Sequence, residues 1–251
     1  MMNRVRTALL PRLVPGLILM TALLVLASLA GLVAKFRFGD PWVHGLVPMF
    51  NLDTERNVPS FFSTGLIMLC GGAMAAIGQR VEGMDRWAWQ GLALVFALLA
   101  ADELVSLHER ITEPLRGTLH TTGLLYFAWI LPYGTATLVL GLVYFRFLLR
   151  LPSSLRNRMV VAGVIYIGGA VGIEAVEGAY LERVHDVHDL TFELLASLEE
   201  SMEMAGMILL LRALMAHLGR ISPAKLALPS QSHTALGSMG FDDSMRPSGS
   251  V

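Results

Sequence analysis

Between Gly172 and Met207 the chain reads GIEAVEGAYLERVHDVHDLTFELLASLEESMEMAGM, which sets Glu174, Glu177, Glu193, Glu199, Glu200 and Glu203 within or beside apolar sequence. A carboxylate in hydrocarbon needs a partner, an aqueous cavity, a proton or a bound cation. Upstream, a D-E-x4-H-E run adds Asp102, Glu103, His108 and Glu109. Carboxylates this dense repel one another when all are ionised, so they must share protons or be neutralised by a divalent cation. The candidate metal ligands are Asp102, Glu103, His108, Glu109, Glu174, Glu177, His185, Glu200 and Glu203. With Asp, Glu and His donors and no thiolate, the set suits iron, manganese or zinc, and calcium or magnesium less well.

The lone cysteine, Cys70, lies in an apolar run, which excludes an intramolecular disulfide and a thiolate zinc site. Ferritin-like di-metal bundles draw glutamates and Glu-x-x-His pairs from several facing helices. Here Glu182-x-x-His185 is the one such pair, so a di-metal set of Glu103, Glu174, Glu177, His185, Glu200 and Glu203 lacks the repeated motif. Haem is not expected, because no histidine lies mid-span. The chain carries no H-E-x-x-H helix, no G-x-S-x-G elbow and no phosphate-cradling P-loop.

The elements that must position these groups are apolar and long. Of 251 residues, 54% are hydrophobic and 16% charged, and the formal net charge is −1. That composition marks a multipass membrane protein and shows no nucleic-acid footprint. The expected fold is an all-α polytopic bundle with spans near residues 13–33, 61–78, 87–107, 123–147, 159–180 and 192–215, each about 20 residues long. Residues 1–220 form one transmembrane helical domain. Residues 221–251, rich in Ser, Pro and Gly, read as a disordered cytoplasmic tail. The first apolar segment exceeds a signal-peptide core of about 7–15 residues and reads as an anchor helix.

Most Lys and Arg residues fall at the N-terminus, in the connections near Arg80–Arg86 and Arg146–Arg158, and beyond Arg212. The positive-inside rule then places both termini in the cytoplasm; the expected location is the bacterial inner membrane. His44, His108, His120, His185 and His188 fall outside, on the side of the acids. At about 100° per residue Glu174, Glu177, His185 and His188 occupy one sector if the fifth helix continues past the membrane. Asp102 and Glu109, seven apart, share a face of the third; Glu193, Glu200 and Glu203 share one on the sixth, with Glu199 turned elsewhere.

The D-E-x4-H-E run at Asp102–Glu109 followed by E-E-x-x-E at Glu199–Glu203 resembles a group of bacterial multipass membrane proteins. The resemblance covers the third, fifth and sixth spans and implies no activity. Plainer readings stand beside the chemical ones. His108 and Glu109 can cap an exposed helix end, and His185 and His188 can sit in a solvated loop. Met202, Met204 and Met207, like Gly168, Gly169 and Gly172, fit helix packing. Glu174, Glu200 and Glu203 resist such readings because their flanks are apolar.

Three functions are open to such a chain. The first is a metal-dependent enzyme acting on a lipid or other apolar substrate, with Glu103 or Glu200 as candidate general base. The second is a transporter or proton/cation relay, and the third a non-catalytic subunit whose polar network fixes packing. No convincing internal repeat supports transport, and the acids cluster at one depth. The expected partners are membrane lipids, with no nucleic acid.

Overall fold

A computed structural model describes residues 2–221, with side chains from residue 12 onward. It is all-α, with no strand among the described residues. The order is α1 (Met2–Arg37), α2 (Leu46–Phe50), α3 (Val58–Gly78), α4 (Gly83–Val105), α5 (Leu107–Leu119), α6 (Ile130–Arg150), α7 (Ser153–Ile167), α8 (Glu174–Arg183) and α9 (Leu190–Arg220). A π segment, Gly168–Ile173, welds α7 to α8 into one rod. Six helices are long and apolar enough to cross a bilayer: Arg12–Arg37, Val58–Gly78, Gly83–Val105, Ile130–Arg150, Ser153–Arg183 and Leu190–Arg220. The expected tail lies outside the described residues except for Ile221.

Local chemistry sets the helix starts. The Asn57 side chain accepts from the Ser60 amide at 3.1 Å, with Pro59 in the first turn of α3. Asp189 caps α9 by accepting from the amides of Thr191 and Phe192 at 2.9 and 3.0 Å. Both caps fix the point at which a loop hands over to a membrane helix.

The central element is α9, which packs against α1, α3, α7 and α8. Cys70, Met74, Ile77, Trp89, Met204, Leu211 and Leu214 form the most deeply buried layer. Close helix approach requires small residues here, because lipid tails offer no hydrophobic drive to bring helices together. A Cβ at Gly206 would stand 2.9 Å from the Ala162 carbonyl oxygen and 2.9 Å from the Tyr166 amide nitrogen. One at Gly169 would stand 2.9 Å from the Glu199 carbonyl oxygen.

Two expectations are corrected. The third span ends at Val105, because Ser106 takes a left-handed φ of 52° and redirects the chain into α5. The fourth span begins at Ile130, with 106–129 folded as α5 and a short 3-10 turn, Gly123–Leu125. Along the up-and-down path of the six spans, the longer connections 38–57, 106–129 and 184–189 fall at one end of the bundle. The short ones, 79–82 and 151–152, fall at the other.

Candidate functional site

At the end capped by the longer connections, a cavity of about 460 Å³ opens between α4, α5, α6, α8 and α9. That volume lies in the range of small-molecule sites, about 300–1,000 Å³. Asp102 and Glu103 reach its wall from α4, Glu174 and Glu177 from the rod, and Glu199, Glu200 and Glu203 from α9. Asp53 and Glu55 close it from the 51–57 turn, and Glu109 and Glu113 from α5. The basic side chains on the wall are Arg116, His108 and His188. The cavity is therefore strongly acidic.

The break at Ser106 matters to the geometry. Asp102 and Glu109 do not share a helix face; instead α5 folds back so that His108 Nδ1 lies 2.7 Å from Asp102 Oδ2. Tyr133 donates its hydroxyl to Asp102 Oδ1 at 2.7 Å, and Trp129 donates its indole N–H to Glu174 Oε1 at 2.6 Å. The His108 ring also sits 5.0 Å from the Trp129 ring, centroid to centroid. An aromatic shelf at the start of α6 thus orients the acids of α4 and α8.

The π segment does the same for the rod. A π turn carries an additional residue, and such bulges rotate the helix beyond them. Gly168–Ile173 ends immediately before Glu174, so it sets the facing of both Glu174 and Glu177. Glu177 is 3% exposed, and its Oε1 has no hydrogen-bond partner. Glu55 Oε2 is likewise buried and unpartnered.

His185 is not brought to the cavity. Helix α8 stops at Arg183, and His185 and Asp186 take left-handed φ values of 55° and 62°, so the helical sector expected to align His185 with Glu174 ends first. His185 is exposed, whereas His188 lines the cavity with its Nδ1 3.9 Å from Asp53 Oδ2. Glu182 turns to the backbone and accepts from the Gly123 amide at 2.6 Å. Glu199, expected to point elsewhere, lines the cavity with Glu200 and Glu203. Sequence reasoning also missed Asp53, Glu55, Trp129, Tyr133 and Tyr166 on its wall. No period or motif connects them to the acids.

Beside the cavity, Lys35 at the end of α1 forms a salt bridge with Glu193, which is 1% exposed. Asn51 donates to the second oxygen of Glu193 at 3.1 Å. Glu193 is thereby satisfied and structural, not part of the cavity wall.

At the membrane surface, burial raises the Asp53 carboxyl to about 8, helped by the negative charges of Glu193 and Glu177. Burial and the charge of Glu109 raise that of Glu55. Burial opposes charge on His108, but its bond to Asp102 and the charges of Glu174, Asp102 and Glu109 outweigh it, lifting the imidazole to about 9. Among the described residues, no three His, Cys, Asp or Glu side chains stand grouped so as to hold a metal ion.

A family model described as a domain of unknown function (DUF8692) matches residues 16–218. No curated protein and no solved structure matches the chain. The matched residues span the six helices from within α1 almost to the end of α9 and include every acid of the cavity, so the chain belongs to the DUF8692 family.

Proposed function

We propose that the acidic cavity is a cation site, holding iron, manganese or zinc, and that the ion serves chemistry on a lipid or other apolar substrate. The observation that carries the reading is Glu177: a buried carboxylate oxygen without a partner, opening on a cavity walled by further carboxylates. A buried charged acceptor left unsatisfied costs about 1–3 kcal/mol or more, and a cation removes that cost. Glu103, Glu174, Glu177, Glu199, Glu200 and Glu203 are the proposed ligand pool, drawn from α4, α8 and α9. Binding would rotate two or more of these flexible side chains onto one ion. Asp102, Tyr133, His108 and Trp129 hold the surrounding orientation.

Enzymatic use ranks ahead of transport for a structural reason. Beyond Glu203, α9 enters the layer of Met204, Met207, Leu211 and Leu214, packed against Cys70 and Met74 of α3. The Cys70 thiol lies 3.4 Å from the Met207 carbonyl oxygen. Among the described residues that layer is a cluster of buried hydrophobic side chains. Arg and Lys placement supports cytoplasmic termini and an outward-facing cavity.

The experiment is elemental analysis of protein purified without a metal-affinity tag, with Glu177→Gln and Glu203→Gln alongside. About one or two transition-metal ions per chain are expected in the wild type and loss of most of that metal in each variant, with helicity retained by circular dichroism. An amide keeps the volume and removes the charge that ligation needs. A metal-free wild type, or unchanged content in both variants, rejects the reading.

A further inference from the structure

Helix α6 is fastened at its two ends and open between them. At one end Trp129 and Tyr133 bond Glu174 and Asp102. At the other, Phe147 packs edge-on to Trp89 at 5.3 Å, and Arg150 reaches Asp85 at 2.8 Å. Tyr144 lies over Gly91 so closely that a Cβ there would clash with its hydroxyl. Between these fastenings residues 135–139 are all exposed, and five consecutive residues cover every face of a helix. The bundle-facing side of mid-α6 is therefore only loosely covered by protein.

The gap is continuous with the acidic cavity. Thr137, one turn beyond Tyr133 on the same stripe, lines that cavity although it lies within the span. Across from it stand Leu99 of α4 and Ile167, Ala170 and Val171 of the rod, an apolar wall. From Tyr133 to Val139 the opening runs about 9 Å along the helix at about 1.5 Å per residue. It is open to the bilayer on its outer side, where Leu138 and Val139 are 65% and 53% exposed.

We infer that this gap is a lateral slot for the tail of a single-chain membrane amphiphile whose hydrogen-bond-donating head sits among the carboxylates. Two features fix that chemistry. The side of the opening formed by Leu99, Ile167, Ala170 and Val171 is apolar and lies within the spans, so it takes hydrocarbon. The head end is rich in acceptors, among which the buried Glu177 Oε1 makes no hydrogen bond. A head that offers N–H or O–H groups satisfies them, whereas a carboxylate or an ester head cannot. The inference goes beyond the cation reading and does not require the ion, since it stands on the opening beside α6.

The test uses wild-type protein in phosphatidylcholine nanodiscs and three nitroxide-labelled probes of equal chain length: stearylamine, stearate and methyl stearate. Electron paramagnetic resonance reads the immobilised fraction beyond that of lipid around the bundle. Stearylamine should be immobilised about tenfold more strongly than either other probe. Thr137→Trp should abolish that difference and Thr137→Leu reduce it. Val161→Trp, at an exposed position outside the cavity lining, should leave it intact. Equal immobilisation of all three probes, or an unaffected Thr137→Trp protein with wild-type thermal stability, overturns the inference. So does a dimer by sedimentation with no immobilised probe, which would mean a second copy fills the gap. Metal content on the same samples separates the two ideas: amine binding by a metal-free wild type would sink the cation site alone, and a metal-loaded wild type that immobilises no probe would sink the slot alone.

Discussion

Lys35 and Glu193 show how a single pair can set the rim of such a cavity. Glu193 is almost wholly enclosed, and its two oxygens are divided between Lys35 and Asn51. Lys35→Met should therefore leave a buried anion without its cation and destabilise the protein by about 1–3 kcal/mol. At about 2–4 °C per kcal/mol for a chain of this size, a thermal melt in detergent resolves that. Adding Glu193→Leu to the same chain should restore much of the loss, since the uncompensated charge is gone. Asp53 gives a second test. Its folded value, about 8, lies above the unfolded value near 4. The stability linked to its proton is then fully present below about pH 4 and lost as pH rises through about 8. His108, raised to about 9, acts in the same direction. Melting temperature should fall between pH 5 and 9 in the wild type and fall less in Asp53→Asn. The sequence marks Glu193 as an acid in apolar surroundings, but its partners lie 158 and 142 positions away. No local pattern encodes such a pairing.

At the scale of elements, the π segment decides which way α8 presents its acids. Nothing lies within 4 Å of a Cβ placed at Gly172, so Gly172→Ala should be tolerated. Deleting Gly172 removes the additional residue, closes the segment towards α winding and shortens the rod, which shifts α8 along its axis against α6 and α9. It should pull Glu174 from Trp129 and lower metal content while leaving the spans inserted. Metal analysis of the deletion against Gly172→Ala checks this; equal content in the two would mean the segment does not position Glu174. The glycines are legible in the sequence as a packing stretch, and Gly169 does meet α9 closely. Their π winding is not legible, because a straight α-helix drawn through Gly168–Ile173 fits the same apolar pattern. The end of α8 fails for a similar reason. His185 and Asp186 are not glycine, and their left-handed backbone leaves no compositional trace.

For the whole molecule, apolar runs make the spans legible, since length and hydropathy suffice to count helices. The fourth span is displaced because Gly123–Trp129 is apolar enough to read as membrane while folding as a turn and an aromatic shelf. A reporter fused after Arg220 should read as cytoplasmic; a periplasmic signal would reverse the sidedness drawn from Arg and Lys. The position of α9 has a further consequence for biogenesis. It is the last of the described helices to emerge during synthesis, yet it supplies Glu199, Glu200 and Glu203 and contacts α1, α3, α7 and α8. Until it inserts, the acids of α4 and α8 wait in the bilayer without the surface that encloses them. The cavity is thus complete only after α9 has been made, and a chain stalled before Leu190 leaves the acids of α4 and α8 without their α9 wall.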